Sequence, residues 1–209
     1  MRLEDLNELN ARCYNARADY WDRFPFADIL PKMIGKCGKR ALDIGSGTGM
    51  LAEWLQQQGY EVLCLDPSEE MVKRTRAKNL TTIQTTIQQF ETREKFDLIL
   101  AILSLIHVPK NDMAHQLERI AGWLMPEGTF VLALIQGSGE GTDETEGGYP
   151  RYFSYYSREE ILALTEKHFT CIFETQVSRY LLLIFHNKET IANNEKSNAN
   201  AKTDTPIIK

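Results

Sequence analysis

The chain has 209 residues, 43% hydrophobic and 25% charged, with 24 Lys and Arg against 29 Asp and Glu, a net charge of −5. This is the composition of an ordinary globular protein of about one domain, and it excludes a collagen, a coiled coil and a wholly disordered chain. A protein that works on phosphate backbones is normally basic, so the acidic balance argues against a nucleic-acid partner. The cysteines, Cys13, Cys37, Cys64 and Cys171, form no CxxC pair and read as reduced thiols. Early charges in MRLEDLNELNARCYNARADYW exclude a secretory core, and the apolar stretch from Leu98 to Val108 is too short to span a bilayer. A cytoplasmic protein without a membrane partner is the expectation.

Residues 1–39 read as one or two helices ahead of the first strand, with Tyr14, Arg17, Tyr20 and Trp21 on one helical face. Arg40 to Ile44 is a short apolar strand that ends at a glycine cluster. A helix over Met50 to Gln58 follows, then a strand over Glu61 to Leu65 closed by Asp66-Pro67. Ser68 caps a helix that turns Met71, Val72 and Thr75 inward. Its basic run, Lys73, Arg74, Arg76 and Lys78, reads as a face turned to solvent.

Leu80 to Ile87 is β-branched and alternating and reads as a strand, and Phe96 to Ile102 is nearly all apolar, as a strand buried on both faces is. Asp112 to Leu124 is an amphipathic helix, Pro126-Glu127-Gly128 a turn, and Thr129 to Ile135 another strand. Residues 137–157 are an insertion, acidic and Gly-rich first and Tyr-rich later. A helix over Arg158 to His168 and two strands, Thr170 to Thr175 and Arg179 to His186, complete the ordered part. Residues 188–209 have no apolar periodicity and read as a disordered tail. Alternating strands and helices predict an α/β fold, a three-layer sandwich around a mostly parallel sheet, with an antiparallel hairpin at its C-terminal end.

The segment ALDIGSGTGM sits where the first strand turns into a helix. Gly45, Gly47 and Gly49 let the backbone approach a ligand, and the next helix offers free N–H groups. In an open parallel sheet, ligands lie beyond the carboxyl ends of the strands, and Asp66 stands where a carboxylate accepts from ribose hydroxyls. The run is GxGxG and not GxGxxG, with Met50 in the place of the third glycine, which argues against a nicotinamide oxidoreductase.

In this order and spacing, ALDIGSGTG, LCLDPSEEMV, FDLILAILSLIHVP and LMPEGTFVLAL resemble the successive motifs of class I S-adenosylmethionine-dependent methyltransferases. The resemblance covers roughly residues 38–187 and implies a seven-stranded sheet and a domain over residues 40–187. It implies that the methionine part of S-adenosylmethionine lies over Gly45, Ser46, Gly47 and Gly49, with Asp43 ordering the loop. It places Asp66 on the ribose, Pro67 and Met71 near the adenine, and Ala101 and Ile102 at the methionine end. The family's acid facing the adenine is absent from Thr85-Thr86-Ile87-Gln88-Gln89-Phe90, so backbone groups of Ile87 and Gln88, or the Thr86 or Gln88 side chain, take its place.

By the same resemblance, residues 1–39 form a cap with Tyr14 and Tyr20 against the cofactor, the alternative being an amphipathic helix packed on the sheet edge, and residues 137–157 form a lid over the acceptor. Methyl transfer needs position and exclusion of water, and a base only where the nucleophile carries a proton. His107, past the fourth strand, is the candidate base; it could equally bond a loop carbonyl. His115, His168 and His186 read as surface residues. Tyr152, Tyr155 and Tyr156 are candidate acceptor contacts or loop anchors, and Arg151 a partner for an acceptor carboxylate or a surface ion pair. No metal site is evident. The expectation is a methyltransferase for a small-molecule acceptor, as a monomer or homodimer. The alternatives are a protein or RNA methyltransferase, or a non-catalytic protein that binds the methyl donor as a signal.

Overall fold

A computed structural model of the chain describes residues 2–20, 30, 34, 40–144 and 148–188. The centre of the sheet forms where the sequence is richest in apolar residues, FDLILAI, FVLALI and YLLLIF. Strands β1 (Arg40–Ile44), β2 (Glu61–Asp66), β3 (Thr81–Gln84), β4 (Phe96–Ile102) and β5 (Leu124–Ile135) run parallel. Two more strands, β8 (Phe169–Val177) and β9 (Tyr180–Asn187), form a hairpin whose second strand pairs antiparallel with β5. The seven strands lie in the order β3-β2-β1-β4-β5-β9-β8.

Strand alternation divides the core into two layers of apolar side chains. Ile99, Phe130, Leu132, Leu183 and Phe185 point to one face, where helices α4 (Lys110–Trp123) and α5 (Arg158–Thr165) lie with Met113, Leu117, Ile120 and Ile161. Leu98, Leu100, Val131, Leu182 and Ile184 point to the other, covered by Ala52 and Leu55 of α2 (Met50–Gln57) and by Leu30 and Ile34. The expected three-layer α/β/α sandwich with a reversed C-terminal strand is the observed fold.

Several boundaries differ from the sequence reading, each for a local reason. The strand expected over Leu80 to Ile87 ends at Gln84, because Thr86 accepts the N–H groups of Gln89 and Phe90 and the chain curls. The turn at Pro126–Gly128 lies inside β5: Leu124 pairs with Phe96, and the ladder resumes at Leu98 and Thr129. Helix α4 starts earlier, at Lys110 after Pro109, and α5 ends at Thr165. The basic run on α3 (Glu69–Ala77) is paired: Lys73 with Glu69, Arg74 with Asp19 and Lys78 with Glu53, while Arg76 donates to the Thr82 carbonyl.

The N-terminal helix α1 (Leu3–Ala16) stops before the expected shared face is complete. Arg17 is its C-cap, Tyr20 sits in a separate 3₁₀ turn, and Trp21 and the Tyr20 side chain lie outside the described residues. Helix α1 packs on α3 and on β7 (Pro150–Ser154). Residues 137–157 contain a second, two-stranded sheet of β6 (Glu140–Glu144) and β7. The expected tail lies beyond the described residues, which end at Lys188, and Cys37 is also outside them; Cys13, Cys64 and Cys171 are free thiols.

Gly49 shows how tightly the loop after β1 is held. Its φ is +78°, and an added Cβ would lie 2.8 Å from both Thr75 Cγ2 and Leu80 Cδ1. Thr75 cannot swing away, since its hydroxyl bonds the Met71 and Val72 carbonyls and accepts from Thr82. Gly49→Ala therefore combines left-handed strain with overpacking and should cost about 2–4 kcal/mol of stability. Urea denaturation followed by far-UV circular dichroism measures it.

Candidate functional site

A cavity of about 280 Å³ opens at the carboxyl edge of the sheet, where β1, β2, β4 and β5 end. Its floor is the loop Gly45–Thr48, and the left-handed φ of Gly45 (+72°) and Gly47 (+55°) exposes the backbone to it. The two glycines are required for different reasons. A Cβ on Gly45 would lie 2.4 Å from Ser104 Cβ, so only glycine lets the loop after β4 pass across it. A Cβ on Gly47 would meet nothing within 4 Å, so this position opens on unfilled space.

Asp66, at the end of β2, holds this floor in shape. Its Oδ2 accepts the Gly47 N–H at 2.9 Å and its Oδ1 the Ser68 N–H at 2.8 Å. Burial raises its pKa to about 6 against the opposing pull of these two N–H groups. Asp43 beside it is pushed up to about 7 by burial and by the charge of Asp66. Two buried carboxylates in one wall are a standing demand for a partner with donors or positive charge.

Beyond them the cavity is lined by Pro67, Met71 and the turn Thr85–Gln88. Arg119 of α4 braces that turn from behind, donating to the carbonyls of Ile87 at 2.7 Å and of Phe90. The Ile87 and Gln88 carbonyls are thus turned toward Arg119, and what these residues offer a ligand is N–H.

At the other end, Leu103 adopts φ +54°, a conformation that strains a leucine by about 1–2 kcal/mol and directs the chain over the glycine loop. His107 follows in a short 3₁₀ turn, half-buried at the cavity wall. Its Nδ1 lies 2.7 Å from the Tyr152 carbonyl and its Nε2 2.7 Å from Tyr14 Oη. A carbonyl only accepts, so Nδ1 carries the proton and Nε2 accepts from the Tyr14 hydroxyl. Tyr14 Oη in turn accepts from Arg151 Nη1 at 3.2 Å. Burial lowers the imidazole pKa to about 4 and raises that of Tyr14 to about 12. His107 is therefore a neutral link between α1 and β7, with both ring nitrogens engaged and no lone pair for a substrate proton. Of its two sequence readings, the geometry is that of the carbonyl-bonding one.

The other expected residues divide by geometry. Tyr14, Asp43, Gly45, Ser46, Gly47, Asp66, Pro67, Met71, Ile87, Gln88, Ile102, His107 and Arg151 line the cavity. Gly49 and Ala101 do not; Gly49 packs on α3, and Ala101 is buried within the sheet. Tyr152, Tyr155 and Tyr156 are also off the cavity wall. Alternation along β7 turns Arg151 and Phe153 to the cavity and Tyr152 away, toward Glu140. Tyr155 Oη donates to Asp143, and Tyr156 is fully buried in the core. His115 and His186 are exposed and His168 half-buried, away from the cavity.

Residues that the sequence did not single out complete the wall. Asn10 Oδ1 accepts the Tyr152 N–H at 2.9 Å, while its Nδ2 and Ser104 Oγ are buried and have no hydrogen-bond partner among the described residues. Arg179 and Tyr180 reach the cavity because Tyr180 pairs with Ile135, which returns the β8–β9 turn to the carboxyl edge. Among the described residues no cluster of His, Cys, Asp and Glu could hold a metal ion, and no helix is long and apolar enough to cross a membrane.

This strand order, with a glycine loop after β1 and an acid ending β2, is a fold shared with solved S-adenosylmethionine-dependent methyltransferases. Residues 41–128 match the family described as a methyltransferase domain. The chain is 35% identical over 104 residues to a ubiquinone biosynthesis O-methyltransferase of Bradyrhizobium diazoefficiens, covering 47% of this chain and 40% of the relative. A namesake from Nitrobacter winogradskyi is 36% identical over 104 residues, covering 47% and 39%. The chain thus spans about two fifths of the length of the curated relatives it matches. Similar solved structures include the DhpI–SAH complex, with a TM-score of 0.74 at 20% identity over 88% of this chain and 98% of that one. The N-methyltransferase NodS of Bradyrhizobium japonicum in complex with S-adenosyl-L-homocysteine gives 0.67 at 20% identity over 88% and 100%.

Two measurements check the His107 link. In ¹⁵N spectra its ring should stay neutral, Nδ1-protonated, from about pH 8 down to pH 5. Since its pKa falls from 6.5 to about 4 on folding, its contribution to stability is present above pH 6.5 and lost as pH drops toward 4. Tyr14→Phe strands the buried Nε2 lone pair and should destabilise the protein by about 1–3 kcal/mol at neutral pH.

Proposed function

We propose that this protein is an S-adenosylmethionine-dependent methyltransferase acting on a small-molecule acceptor. The observation that carries this reading is Asp66. Each of its oxygens has one lone pair committed to the backbone and another left for a ribose hydroxyl, at the end of the strand beside the glycine floor. The rest of the wall fits the same donor. Unfilled space at Gly47 accommodates the methionine part, and Asn10 and Ser104 line the same cavity. Asp43 faces a cationic ammonium or sulfonium with a negative charge. Ile87 and Gln88 offer N–H groups to the adenine edge, in place of the acid missing from this turn.

The donor supplies a methyl group activated on a sulfonium, so the protein's task is to position and to exclude water. Helix α1 and the β6–β7 hairpin do both as cap and lid: Tyr14 and Arg151, from segments far apart in the chain, meet over the cavity beside His107. The names of the curated relatives support oxygen as the methylated atom.

Calorimetric titration should give micromolar binding of S-adenosylmethionine and S-adenosylhomocysteine and none of NAD. Asp66→Ala, which removes the ribose contacts, should weaken both by roughly 100-fold. Gly47→Val should block binding by projecting into the cavity. Unchanged affinity in both variants would overturn the assignment. The carboxylate must be ionised to accept from the ribose, and its pKa in the free protein is about 6. Donor affinity should therefore fall as pH drops, by roughly tenfold at pH 5 from Asp66 alone.

A further inference from the structure

The charges of the cavity wall are segregated. Its acids, Asp43 and Asp66, both stand at the ends of β1 and β2. Its arginines stand on other elements, Arg151 on β7 and Arg179 just before β9, both near enough to Tyr155 for their charges to act on it, and among the described residues no Asp or Glu other than Asp43 and Asp66 lines the wall. The fold fixes both positions: Arg151 by alternation along β7, Arg179 by the register that places Tyr180 opposite Ile135. Each guanidinium lies over aromatic rings, Arg151 at 4.8 Å from Phe153 and 5.5 Å from Tyr14, Arg179 at 5.6 Å from Tyr180. Such stacking orients the planar fork that recognises oxyanions in pairs of hydrogen bonds. Asp143, opposite Arg151 on β6, holds the Tyr155 hydroxyl and is not part of the wall.

We infer that the acceptor is a small oxyanion, a carboxylate or phosphate-type group on an apolar body, held at its charged end by Arg151 and Arg179. The inference rests on the donor reading above. Leu103, Ile135, Phe153 and Tyr180 provide the apolar surface for the body. A protonated amine would face two guanidinium groups there and is disfavoured. An acceptor that arrives ionised also needs no base, consistent with an imidazole whose two nitrogens are engaged. As its oxygen bonds the methyl carbon, the carbon–sulfur bond breaks, the electron pair goes to sulfur, and no proton is displaced.

The test is titration of the S-adenosylhomocysteine-saturated protein, in phosphate-free buffer, with benzoate, phenylphosphonate, benzyl alcohol and benzylamine, read by NMR line shifts. One or both anions should bind at least roughly tenfold tighter than the alcohol and the amine. Benzoate and phenylphosphonate distinguish a planar from a tetrahedral group. Arg151→Gln and Arg179→Gln should each weaken the anions by roughly tenfold or more, and the exposed Arg179→Gln should keep its affinity for S-adenosylhomocysteine. Equal binding of the alcohol or amine, anion binding that survives both variants, or no binding of either anion would overturn the inference. Failure of the wild-type protein to bind S-adenosylhomocysteine would instead overturn the donor reading.

Discussion

The site depends on one buried carboxylate. Asp66 ends β2 and reaches across to the neighbouring strand's loop, accepting the Gly47 N–H with one oxygen while the other caps its own turn through Ser68. That bridge fixes the middle of the loop, between Gly45 and Ser46, whose N–H groups donate to the Leu65 carbonyl, and Gly49, whose N–H donates to the Ser46 carbonyl; all three glycines adopt left-handed conformations. The bridge also explains why the carboxylate tolerates burial. Two N–H dipoles offset part of the desolvation, and the remainder appears as a raised pKa, a site poised for donors from a ligand.

The loop after β4 depends on that floor. Ser104 crosses Gly45 at a distance that no other residue would permit, and the crossing sets where Leu103 bends and where His107 emerges. From His107 the order passes to the two covering segments, through Tyr14 on α1 and the Tyr152 carbonyl on β7. A second strut, Asn10 to the Tyr152 N–H, and a third, Ser154 Oγ to the Val108 carbonyl, hold the hairpin at the same height. One loop depth therefore propagates through packed groups to the far wall of the cavity.

Much of this was legible in the sequence where one residue type has one reason to be present. The bounds of β4 are legible to the residue because a strand buried on both faces is a nearly unbroken apolar run, and those of β1 because its short run ends at the glycine cluster. The glycine floor and Asp66 were legible because few local structures need that combination. The aromatic run RYFSYY was misleading. Its composition suggests a tyrosine wall, but on a strand the side chains alternate, and Arg151 and Phe153 took the cavity face. Arg179 was illegible for a different reason: its place depends on the register of β9 against β5, a pairing between residues 135 and 180. The early end of β3 comes from a turn in which the Thr86 carbonyl takes the Gln89 and Phe90 N–H groups, and the residue that braces this turn, Arg119, lies on a helix some thirty positions further along.

The hydrogen bonds that close the cavity join residues 142, 137 and 93 positions apart, whereas the β1–β2 ladder joins neighbours such as Asp43 and Cys64. Loop-closure entropy rises with separation, so the covering contacts form late in folding and come apart first in native fluctuations. Of the apolar side chains of α1 only Leu6 and Cys13 are buried, beside a sheet whose two faces carry the apolar core. The free energy that governs how long a ligand stays enclosed is therefore the local opening of α1 from β7, not the global stability of the fold. Amide exchange in α1 and β7 reports residence time, while exchange in β4 and β5 reports unfolding.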